Sequence, residues 1–175
     1  TGLSRRQPTR VFAAIEDYGV YRSSPADEGG DAGWKQIFAS AGGGDVASSL
    51  SSRTEFGLAP LAGGLRIYVG DAGAGPADFW RTDAGLLPAA ALATGGTNGG
   101  WTKLSSAVAG TPGFGSYDFC GGQCSYDMFV ESPPGRPDEV WIGGQMLYDE
   151  IFTAHPPSNG RAVQRSTDAG VHFTD

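Results

Sequence analysis

Large apolar residues alternate with polar or small ones in short runs along the chain. Three of these runs are alike: Arg10-Val-Phe-Ala-Ala-Ile15, Arg66-Ile-Tyr-Val-Gly70 and Glu139-Val-Trp-Ile-Gly143. A period of two over so few residues predicts strands rather than helices. Each run follows a proline-containing stretch: Gln7-Pro8-Thr9, Ala59-Pro60-Leu61, or Ser132-Pro-Pro-Gly-Arg-Pro137. Each is followed by a second predicted strand: Gly19-Val-Tyr-Arg-Ser23, Asp78-Phe-Trp-Arg-Thr82 or Ala162-Val-Gln-Arg-Ser166. Asp-Ala-Gly then recurs at 31–33, 83–85 and 168–170, with Trp34, Trp101 or Phe173 as the next aromatic. Two further runs, Thr54-Glu-Phe-Gly-Leu-Ala59 and Tyr126-Asp-Met-Phe-Val-Glu131, precede the later proline stretches and read as strands of the same unit.

The repeated unit is therefore four strands, A to D, joined by tight turns. Its last copy, Ser166-x-Asp168-x-Gly170 followed by Phe173, resembles the Asp-box S-x-D-x-G-x-T-W of the sialidase-like and sortilin-like BNR-repeat β-propellers, with His172 in the threonine place. In the first copy Ser23 and Asp31 are separated by an insertion. In the second the serine place falls on Arg81, and Leu86 to Gly100 intervene before Trp101. The resemblance implies an all-β propeller of four-stranded antiparallel blades. It divides the chain into a partial blade 1–38, a blade 53–105 and a blade 125–175 with its last strand truncated. These make about two and a half blades of a larger propeller, against roughly four to eight in closed ones. The open edges are expected to be covered by remaining blades or by a partner protein. The Asp-box residues Asp31, Gly33, Trp34, Asp83, Gly85, Trp101, Ser166, Asp168, Gly170 and Phe173 are expected to be structural. The acid binds backbone amides in the turn, the glycine supplies a positive φ, and the aromatic packs on its neighbour.

Composition fits this picture. The chain has 175 residues, with 29 Gly, 11 Pro and 18% charged residues, so turns are many and long helices few. A formal charge of -7 argues against a nucleic-acid surface, which needs a basic stripe. The most apolar stretch, Leu86 to Thr94, is broken by Pro88 and far shorter than the ~20 residues that span a bilayer. Cys120 and Cys124, in C-G-G-Q-C, read as a local disulfide of an exported protein, with free thiols or a metal site as alternatives. No cofactor or metal is expected: no Cys or His neighbour completes a zinc set. His155 and His172 are too far apart, without a serine nucleophile context, to suggest a triad.

Strand order places the A–B and C–D turns on one face and the D–A and B–C loops on the other. Function is expected on the second face, in loops carried by a rigid scaffold. The candidate loops are Ser40 to Arg53, Ser105 to Ser125, Asp71 to Ala77 and Gln145 to Gly160. The richest stretch is Ser116 to Asp127, which offers Tyr117, Asp118, Gln123, Tyr126 and Asp127 as a ligand-binding rim. Its tyrosines are stacking platforms and its carboxylates hydrogen-bond acceptors, or the loop is simply a disulfide-tied packing element. These features favour an exported binding or scaffold module for a protein or glycan. One alternative is part of a glycoside hydrolase, with Asp118, Asp127, Glu131, Asp149 or Glu150 supplying one of two acids. Another is an accessory subunit of a larger extracytoplasmic assembly.

Overall fold

The computed structural model describes residues 10–23, 33–41, 53–73, 75–93, 98–144 and 163–174. Asp31, Asp149, Glu150, His155, the loop 145–160 and most of the loop 40–53 lie outside the described residues. The fold is all-β, in three antiparallel sheets. The first sheet contains β1 (Val11–Ile15), β2 (Gly19–Ser23) and β3 (Trp34–Ala39), in that order. The middle sheet contains β4 (Arg53–Leu61), β5 (Gly64–Ala72), β6 (Asp78–Thr82) and β7 (Thr102–Lys103). In the third, β8 (Phe129–Glu131) and β10 (Val163–Ser166) flank β9 (Val140–Gly143). One-turn helices α1 (Ala89–Leu92) and α2 (Cys124–Asp127) interrupt the connections.

One sequence expectation is corrected. The strand expected over Tyr126 to Glu131 begins only at Phe129, because Cys124 to Asp127 form α2. A chain tied by the Cys120–Cys124 disulfide turns tightly there, and Met128 is the first residue to return to extended backbone. The apolar stretch Leu86 to Thr94 contains a helical turn, which puts Leu92 into the core between the first two sheets.

The middle sheet is buried on both faces because β5 is apolar at nearly every position, the pattern of a strand with no solvent face. Ile67 and Val69 join Val20, Ile37, Phe38 and Trp101 of one core. Tyr68 joins Phe79, Phe119, Met128, Val130 and Ile142 of the other. Aromatic rings set edge to face tie each interface: Phe38 on Trp101 at 5.1 Å, and Phe79 on Phe173 at 5.4 Å. Gly70 is required at its place, since a Cβ would lie 2.8 Å from the Phe119 ring.

The sheets stand side by side with corresponding ends together, and arginines join them. Arg22, fully buried, donates to Gly85 O (2.5 Å) and Leu87 O (2.6 Å) in the turn of the middle sheet. Arg81, at the equivalent place in the next repeat, donates to Ala169 O (2.8 Å) in the turn of the third. Backbone carbonyls that would otherwise be buried unsatisfied are thereby paired. The strand-C arginine of one sheet thus clasps the Asp-Ala-Gly turn of the next at both interfaces.

Candidate functional site

The two ends of the middle sheet differ in chemistry. One end carries the β4–β5 turn and the Asp-Ala-Gly turns, and is called here the turn end. The other carries the β5–β6 connection and the start of β4, and is called the loop end.

At the turn end the two described Asp-box acids, Asp83 and Asp168, are bound by a cation or by their own turn. Asp168 Oδ1 accepts from the Ser166 hydroxyl (2.8 Å), Val171 N–H (3.2 Å) and His172 N–H (2.9 Å), while His172 Nδ1 lies 2.7 Å from Oδ2. Burial pushes the Asp168 carboxyl up, but the His172 and Ser166 hydrogen bonds outweigh it and hold it at about 2. Gly170 (φ +84°) and Ala169 (φ +62°) take the left-handed turn conformation, and Gly170 N–H donates to Ser166 Oγ (2.9 Å). Asp83 has no serine before it and binds Arg66 instead, at Nε (2.5 Å) and Nη2 (2.9 Å). Gly85 N–H donates to Leu65 O (2.8 Å). Arg66 also reaches Asp138 (2.5 Å) and Pro137 O (3.0 Å) of the third sheet, so Asp83 serves an inter-sheet clamp. Its carboxyl is lowered by Arg66. Of the aromatics, Trp101 donates its Nε1–H to Ile37 O (2.8 Å) and Phe173 packs on Phe79, but Trp34 is 47% exposed at the start of β3. Gly33 precedes it.

At the loop end the carboxyls meet hydroxyls and amides instead. Asp71, buried at the end of β5, accepts from Ser40 Oγ (2.7 Å), Thr54 Oγ1 (2.9 Å) and Ala41 N–H (2.8 Å). Burial raises its carboxyl against those bonds. Asp118, in a left-handed conformation (φ +53°), bonds Ala77 through its own N–H (2.8 Å) and accepts Ala77 N–H at 3.4 Å. Burial likewise raises its carboxyl. Asp118 thus fastens its loop to the middle sheet.

In front of Thr54 and Asp71, where the three sheets meet, lies an open polar cleft of about 200 Å³. Its charged lining is Glu16 from the β1–β2 turn and Arg53 and Glu55 from β4, with Thr54 and Ser125 beside them. Alternation along β4 puts Arg53 and Glu55 on one side of the strand. Arg53 Nε and Nη2 hold Glu55 Oε1 at 2.7 and 2.5 Å, and Nη1 reaches Ser125 O at 3.4 Å. Ser125 opens the way to two residues expected in the rim: Tyr126, 60% exposed, and Asp127, also exposed, both on α2. Tyr117 and Gln123 are half-buried in the turns before α2. Cys120 and Cys124 are joined (Sγ–Sγ 2.09 Å) and packed in the core between the middle and third sheets, which is consistent with an oxidising compartment.

Glu16, Arg53 and Glu55 were not among the residues singled out from the sequence. The charged-polar-charged run at the start of an apolar strand was the available signal. Among the described residues no group of three or more His, Cys, Asp or Glu is placed to hold a metal, and no helix is long and apolar enough to cross a membrane. No protein-family model, curated protein or solved structure matches the chain.

Proposed function

We propose that the chain is a segment of an exported Asp-box β-propeller and acts as a glycan-binding module, holding one sugar unit in the loop-end cleft. Support for the propeller reading comes from the repeat order. The sheets carry strands B-C-D, A-B-C-D and A-B-C of one unit, with the innermost strand β4 packed against β1 and β8. The same arginine clasps join both interfaces.

The observation that carries the binding reading is the cleft itself. Glu16, Glu55 and Arg53 line an open cleft of about 200 Å³, in which Arg53 is paired with Glu55 and Glu16 is exposed, whereas the turn-end acids Asp83 and Asp168 are taken up by Arg66 and by their own turn. That volume is below the ~300–1,000 Å³ that encloses a drug-sized ligand, and fits a single sugar ring better than an oligosaccharide. Carboxylates accept from sugar hydroxyls, Arg53 donates to ring or hydroxyl oxygens, and exposed Tyr126 offers a stacking face. With two carboxylates and one cation in the lining, a neutral or amino-bearing sugar is favoured over an acidic one.

The presence of two acids in one cleft also favours a second reading, glycoside hydrolysis, which needs paired carboxyls. It is the weaker of the two. The raised carboxyls a general acid requires are Asp71 and Asp118, whose hydrogen bonds are all to the scaffold. A glycan array read with the wild type and Tyr126→Ala, beside hydrolysis of a polysaccharide panel, tests both. Retention of neutral or amino glycans without cleavage, weakened by Tyr126→Ala, is the expected outcome. Cleavage that Glu55→Gln abolishes would move the hydrolase reading to first place.

A further inference from the structure

At the turn end, opposite the cleft assigned to sugar, an open groove of about 510 Å³ lies between the first and middle sheets and the β8–β9 turn of the third. Phe12, Leu58, Pro60, Leu65 and Leu86 give it an apolar lining, and Arg10 lies in its wall. The Arg10 guanidinium makes no hydrogen bond or ion pair with any described residue, and its Nε is buried without a partner.

The repeat explains why. Arg10 and Arg66 hold the same place in the repeated sequence pattern, as do Leu65 and Asp138. Arg66 binds Asp83 of its own turn and reaches across to Asp138 in the next sheet. The counterpart of Asp83 is Asp31, outside the described residues, and the counterpart of Asp138 is Leu65, in the groove that Arg10 faces. An arginine whose Nε is buried beside hydrocarbon, with no anion bound to it among the described residues, is a costly arrangement unless an anion is supplied from outside. Ser132 is the other polar side chain of the lining, and its hydroxyl already donates to Glu139 O (2.9 Å). The groove therefore offers one cation and hydrocarbon, with little to pair the many polar groups of a sugar or a peptide backbone.

We propose that this groove binds a monocarboxylate with an unbranched hydrocarbon body, its carboxylate paired with Arg10 and its chain along Phe12, Leu58 and Leu65. A bidentate guanidinium–carboxylate pair fixes the head, and the apolar lining takes the tail. The site shares no residue with the cleft assigned to sugar, so either can fail without the other.

The test is a titration followed by NMR with octanoate and, as the uncharged match, 1-octanol. It uses the wild type, Arg10→Gln and Leu65→Asp, each first checked for a cooperative thermal transition. Octanoate is expected to bind the wild type with Kd below ~1 mM and at least about tenfold more tightly than octanol. Arg10→Gln should remove that preference while leaving octanol binding in place. Leu65→Asp should supply the missing internal anion and weaken octanoate by a similar factor. If Leu65→Asp does not fold, the Arg10→Gln result decides alone. Equal affinity for octanoate and octanol, octanoate binding indifferent to Arg10→Gln, or no binding of octanoate at millimolar concentration would each overturn the proposal.

Discussion

The turn end and the loop end of the middle sheet are built from the same strands, yet their acids behave oppositely. Asp83, Glu139 and Asp168, at the turn end, are all held below the ordinary carboxylate range by Arg66, Arg165 and His172 with their neighbours. Asp71 and Asp118, at the loop end, are raised by burial and meet only hydroxyls and amides. Arg22, Arg66 and Arg81 are used where the sheets are clasped together. The other end keeps its negative character, and its polar groups in the cleft stay open to solvent. The contrast separates the turn-end acids that hold the fold from the loop-end cleft, whose polar lining is open to a ligand.

The largest effect should come from the exception at the loop end. Asp71 is buried and binds three donors from two sheets, so Asp71→Ala leaves the Ser40 and Thr54 hydroxyls and Ala41 N–H short of an acceptor. A loss of about 3 kcal/mol in urea unfolding is expected. A loss near zero would mean that the raised acid contributes nothing to the junction of the first two sheets. Next comes Arg66→Met, which removes the clamp between the middle and third sheets. A fully buried pair would cost more, but Asp83 and Asp138 have side chains 47% and 67% exposed. Discounted for solvent screening, the cost is about 2 kcal/mol, or roughly 4–8 °C in Tm.

Acid titration sharpens the same contrast. Glu139 and Asp168 have folded values of about 2, below the unfolded 4.5 and 3.8. Their stabilisation is present above those unfolded values and is lost as pH falls toward about 2. For Asp71 and Asp118, raised above 3.8, the sign reverses: their contribution is full below 3.8 and is lost as pH rises through the folded value. Urea midpoints measured across the acid range should therefore fall less steeply in Glu139→Gln with Asp168→Asn than in the wild type. An unchanged acid limb would remove the electrostatic difference between the two ends.

The strands were legible because alternation survives in them: Arg66-Ile-Tyr-Val-Gly70 reads as a strand and lies within β5. The two jobs of the Asp-Ala-Gly turns were less so. A serine two residues before Asp168 marks a self-capped turn, but nothing local says that Asp83 reaches Arg66, 17 positions away. The loop around the disulfide was misjudged at Tyr126 and Asp127, where a tie between close cysteines overrode strand pattern. The cleft was missed altogether. Glu16, Arg53 and Ser125 come from three sheets or their connections, carry no motif, and meet only through packing of β1 and β8 against β4.

The central claim is that the loop-end cleft serves a ligand and the turn-end ion pairs of Arg66 serve the fold. It is tested most directly by measuring affinity and stability together, for Arg53→Gln and Arg66→Met, using a glycan that the wild type retains. Arg53 is a partly exposed member of a surface pair, so its substitution should cost less than about 1 kcal/mol of stability. It should nevertheless weaken the glycan by about tenfold or more, as expected on losing a charged hydrogen-bond donor. Arg66→Met should do the reverse, lowering stability while leaving the affinity of the folded protein unchanged. Glycan affinity insensitive to Arg53→Gln, or lost equally in both variants at equal folded fraction, would contradict the division of labour.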